Sequence, residues 1–198
     1  MNFNLEGRQL ELQIASQCAP LLAGLKPSNL LILPESEKND LETALKNTRF
    51  SYYRLSKQDG REVYLVYQVT ELVWYLTDEK VQELLKELGY MEFELPKLLQ
   101  SIGKKYEAHQ ISGTEFPYEL GLVLGYPVVD VRGFMQHAGK NFLYSGYWKV
   151  YGNLKNARRL FQEFGKAKEM AVELALIGYG VSDIVTYCHS RRTLRPAV

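Results

Sequence analysis

The sequence predicts an α+β fold in which a small, mostly antiparallel sheet of about four strands is covered by many helices. Two aromatic and β-branched runs, 50–55 and 63–69, flank Lys57-Gln58-Asp59-Gly60, and an Asp-Gly turn between such runs signals a hairpin. On both sides of that hairpin, apolar residues recur at helical spacing. Near the middle, FPYELGLVLGYPVVDVRGF gives two Pro-led helical starts and is followed by a third aromatic run, 142–151.

Leu10, Ile14, Cys18, Leu21, Leu22 and Leu25 repeat at helical spacing, so a helix is expected over 8–24 with Gly24 as its stop. Pro20 falls inside that pattern and should kink or split it, because it has no N–H and its ring meets the preceding turn. Residues 29–33 form a short apolar run closed by Pro34, a buried strand. A polar helix over 36–47 keeps Leu41, Ala44 and Leu45 inward.

After the hairpin, Thr70 is the expected N-cap of a helix through Leu76. A second start at Thr77-Asp78 runs to Gly89, and a third helix over 95–106 has Pro96 in its first turn. Pro117 and Pro127 then open two helices separated by Gly125, with Asp130 offsetting the dipole of the second. Residues 142–151 read as a strand with a bulge or close approach at Gly146. Past that glycine, alternation puts Tyr147, Lys149 and Tyr151 on one face and Trp148 and Val150 on the other. Asn153 caps a long helix, and a last short helix starts near Ser182.

The 198 residues fit one domain, read as 1–190, with 191–198 as a basic and frayed tail. Arg191, Arg192 and Arg195 account for more than the whole formal charge of +1, so the body is mildly acidic and DNA binding is not expected. The two cysteines, Cys18 and Cys188, are distant and lack C-x-x-C spacing, a reducing-compartment pattern. The first residues lack the basic start and apolar run of a signal peptide, and no segment is apolar enough to cross a bilayer. A cytoplasmic protein without a membrane partner is expected. Three isolated histidines, His109, His137 and His189, show no metal-ligand spacing.

Four pieces, QCAPLLAGLKPSNL, LVYQ, FPYELGLVLGYPVVDVRGF and GYWKVYG, together resemble the bacterial family catalogued as domain of unknown function 3793. The resemblance implies no activity. Family members commonly carry His where this chain has Gln17 and Tyr118, so any Cys-His chemistry of relatives does not carry over.

Cys18 is the candidate nucleophile, with Glu119 as the group that orients a partner. A thiolate needs a base or a helix N-terminus beside it, and a new helix starting at Pro20 would supply the latter. The plainer reading is a small hydrophobe in the core. Glu119 and Asp130 form a candidate acid–base pair, although carboxylates at helix starts also offset dipoles. Lys149 between Tyr147 and Tyr151, with Tyr118, is the candidate ligand face for an anionic or planar small molecule. The same pattern also describes a half-exposed strand with paired aromatics. These aromatics could also serve a protein partner or a homo-oligomer. The residues name no cofactor. The leading expectation is a non-catalytic small-ligand or partner-binding domain; the alternative is a thiol-dependent hydrolase or transferase using Cys18.

Overall fold

The computed structural model describes residues 8–91 and 94–193. Its centre is a three-stranded antiparallel sheet in the order β1-β3-β2, made by β1 (Ser28–Pro34), β2 (Phe50–Gln58) and β3 (Arg61–Gln68). β2 and β3 are the expected hairpin. Asp59 and Gly60 take φ values of 50° and 71°, the left-handed pair that a tight two-residue hairpin turn needs. Leu31 pairs with Tyr64 and Ile32 with Val63, and β2 carries a register shift between Arg54 and Ser56.

Alternation along the strands sends side chains into two cores. Leu31, Leu33, Tyr64 and Val66 pack against α1 (Gln9–Leu22), α2 (Lys38–Leu45), α8 (Leu154–Leu176) and α9 (Val181–Thr193). Leu55, Val63 and Leu65 pack on the opposite side against α3 (Val69–Leu76), α4 (Glu79–Glu87), α5 (Leu95–Ser112), α6 (Glu119–Val123) and α7 (Val128–Gln136). A third cluster joins Trp148 and Val150 to Ala157 and Phe164 of α8. The α+β expectation holds, with five strands among the described residues rather than about four, because the last expected strand is a two-stranded ribbon.

Several local expectations change. α1 runs as one helix through Pro20, whose missing N–H costs it a single backbone bond to the turn before. The helix then ends through Gly24 at φ 65°, whose N–H donates to Leu21 O while Leu25 N donates to Pro20 O. Gln68, not Thr70, caps α3 by accepting the Glu71 N–H at 2.8 Å. α5 continues to Ser112 and stops at Gly113, where φ is 63°.

The expected strand over 142–151 is instead a short hairpin of β4 (Tyr144–Ser145) and β5 (Lys149–Val150). Asn153 caps α8 through the Asn156 N–H, as its position predicted. α9 includes 191–193 of the expected basic tail, and 194–198 fall outside the described residues. No described helix is long and apolar enough to cross a membrane.

Candidate functional site

The site is built where the β4–β5 hairpin folds back on α7. Asp130 is buried in the first turn of α7, and both of its oxygens are occupied. Oδ2 accepts the Trp148 indole N–H at 2.7 Å; Oδ1 accepts the backbone N–H groups of Tyr151 at 2.7 Å and Gly152 at 2.8 Å. Three donors on one buried carboxylate in the first turn of α7 make Asp130 the anchor of the hairpin as well as an offset to the helix dipole.

Two glycines let the pieces meet. A Cβ on Gly133 would lie 2.3 Å from the Tyr151 ring, and one on Gly146 would lie 2.4 Å from Phe161. The Trp148 ring stacks on Tyr126 at 5.1 Å and meets Phe161 edge-on at 4.5 Å.

Between these elements lies an apolar cavity of about 340 Å³. Phe116 and Tyr118 precede α6 at its wall, Leu120 lies in α6, Leu124 and Tyr126 follow it, and Val131 and Phe134 come from α7. Ser145, Gly146, Trp148 and Lys149 close it from the hairpin. The Lys149 ammonium donates to Gly139 O at 2.7 Å and stands 5.5 Å from the Phe134 ring centre and 5.2 Å from that of Phe142. It makes no ion pair among the described residues.

The sequence-predicted residues are divided by this geometry. Lys149 and Tyr118 share the cavity. Tyr147 lies instead against Phe161 and Phe164, and Tyr151 packs on Gly133 and stacks with His137. The expected common face of Tyr147, Lys149 and Tyr151 does not form, because β5 is two residues long and cannot sustain alternation.

Glu119 is buried at 1% exposure, but its carboxylate is engaged elsewhere. It accepts from Tyr90 Oη at 2.5 Å and from Lys105 Nζ at 2.7 Å, and Tyr90 Oη also meets Ser101 Oγ at 3.0 Å. Glu119 and Asp130 therefore serve separate donor sets rather than a shared acid–base pair. Tyr90 and Lys105 carried no sequence signal, since their link to Glu119 depends on how α5 docks.

Cys18 lies on the other side of the sheet, at 0% exposure in the α1 core. Burial pushes its thiol up to about 12, and Sγ lies 3.8 Å from Leu30 O. No new helix begins at Pro20 to stabilise a thiolate, and neither Tyr118 nor Glu119 lies in its layer. Gln17, one residue earlier, turns its side chain to β1: Nε2 donates to Ile32 O at 3.1 Å and Oε1 accepts the Ile32 N–H at 2.9 Å.

Residues 14–187 match a family described as a protein of unknown function (DUF3793). The chain belongs to that family. No curated protein and no solved structure matches it. Within the DUF3793 stretch, the two pieces that carried the resemblance most specifically, 116–134 and 146–152, are the pieces that clasp through Asp130 and line the cavity.

Proposed function

We propose that this DUF3793 protein is a non-catalytic, cytoplasmic binding protein for a small, largely apolar anion, held in the cavity between α6, α7 and the β4–β5 hairpin. The observation that carries this reading is Lys149, a lysine without an ion pair among the described residues, at an apolar cavity lined mainly by α6, α7 and the β4–β5 hairpin. A volume of about 340 Å³ falls at the lower end of small-molecule sites, which are mostly apolar with a few polar groups fixing orientation. Lys149 can turn from Gly139 O to an acid group without losing its aromatic contacts with Phe134 and Phe142. The occupied carboxylates of Glu119 and Asp130 and the buried Cys18 thiol support binding over catalysis.

Anilinonaphthalene sulfonate, an apolar planar anion, is a suitable probe. Its fluorescence should rise saturably with the native protein, and Lys149→Met should weaken it by roughly tenfold, about the value of one well-placed charge contact. Ser145→Trp, an exposed change at the cavity mouth, should do the same without altering the unfolding midpoint. Unchanged binding in both variants would remove the proposal.

A further inference from the structure

A second cleft, of about 240 Å³, opens among the end of α1, the start of β2 and α3. Two cations line it, Lys26 and Arg49, and neither makes an ion pair among the described residues. Lys26 is partly buried, its ammonium 3.3 Å from Asn29 Oδ1 and 5.0 Å from the Tyr126 ring centre. Keeping a cation out of water without a carboxylate is costly, and burial lowers this lysine to about 8. Trp74 lines the same cleft and is 74% exposed, an open indole. Tyr75 and His189 complete the wall, and Glu71, also lining the cleft, leaves the cations in excess.

We propose that this cleft binds a planar aromatic anion, its acid group held by Lys26 and Arg49 and its ring laid on Trp74. Each unusual feature then has a use. The anion supplies the countercharge that Lys26 lacks, Arg49 adds a planar donor fork, and the indole face receives the ring. A volume of about 240 Å³ limits the ligand to one or two rings. This site is independent of the cavity at Lys149, since the two share no lining residue but flank Tyr126 and Tyr75, which are joined by a Tyr75 Oη to Tyr126 O hydrogen bond at 2.7 Å.

Benzoate is the probe, and the two indole N–H resonances of Trp74 and Trp148 are the readout, assigned with Trp74→Phe. Benzoate should shift the Trp74 signal saturably and leave Trp148 in place, and the neutral isostere benzamide should shift neither. Lys26→Met should weaken benzoate by roughly tenfold while folding at least as stably as the native chain. The proposal is overturned if the Trp74 signal does not move at millimolar benzoate, if benzamide moves it equally, or if Lys26→Met binds unchanged. Movement of Trp148 alone also overturns it, and would place the anion in the cavity at Lys149 instead.

Discussion

The Trp148 indole N–H donates to Asp130 Oδ2 at 2.7 Å, so one buried carboxylate on α7 holds the side chain that forms the floor of the hairpin. The other oxygen of Asp130 takes two backbone N–H groups from the residues that lead into α8. Asp130→Ala leaves one buried and two half-buried donors without acceptors, and a fully buried one costs about 1–3 kcal/mol. A loss of roughly 2–4 kcal/mol is expected in urea unfolding, with a red shift of Trp148 emission. An unchanged midpoint would mean that the hairpin is held by packing alone.

Gly133 and Tyr151 test the same clasp by shape. Gly133→Ala places a methyl 2.3 Å from the Tyr151 ring, and overpacking of this kind costs about 1–3 kcal/mol. The double variant Gly133→Ala, Tyr151→Ala should recover part of that loss, because the clashing ring is gone. Additive losses in a double-mutant cycle would show that the two positions are not in contact.

Cys18 should be inert while the chain is folded. Its thiol stays protonated up to about 12, whereas an unfolded cysteine ionises from its ordinary value of 9.0. Iodoacetamide near neutral pH should label Cys18 only after denaturation. The unfolded state gives up this proton first, so its contribution to stability is full below pH 9 and declines as the pH rises from 9 towards 12. Labelling of Cys18 in the native state would return the thiol chemistry to consideration.

Lys26 has the opposite sign. Below about pH 8 both states carry the charge and the folded state bears the full desolvation cost. Between about 8 and the ordinary 10.5 the folded amine releases its proton before the unfolded one, so this contribution makes stability rise with pH across that window. Lys26→Met should therefore be more stable than the native chain by roughly 1–3 kcal/mol at pH 7, with the difference shrinking as the pH approaches 10.5. A difference that is constant from pH 7 to 10.5 contradicts the buried-charge account.

Much of the fold was legible because it rests on local chemistry. The Asp59-Gly60 turn, the Gly24, Gly89 and Gly125 helix stops, and the Asn153 cap all follow from backbone requirements of a few residues, and all are present. The site was legible only in composition. Lys149 was singled out, yet its partnership with Phe134, Phe142 and Tyr118 depends on how a hairpin lands on a helix, which no short window records. The alternation rule misplaced Tyr147 and Tyr151 because it presumes a strand longer than two residues. Asp130 looked like a dipole offset alone because its three donors lie eighteen or more positions further along the chain. Lys26 gave no signal at all, since it falls between a helix stop and Pro27, where periodicity says nothing.

The two hydrogen bonds between Gln17 and Ile32 also bear on how copies of this chain behave in concentrated solution. β1 is an outer strand, and an open outer strand invites another chain to continue the sheet. Gln17 occupies both main-chain groups of Ile32, so an incoming strand meets a side chain where it needs a free ladder. The register shift in β2 bends the opposite border out of a straight line. Each border is thereby guarded by a different device against the stacking that leads to fibres.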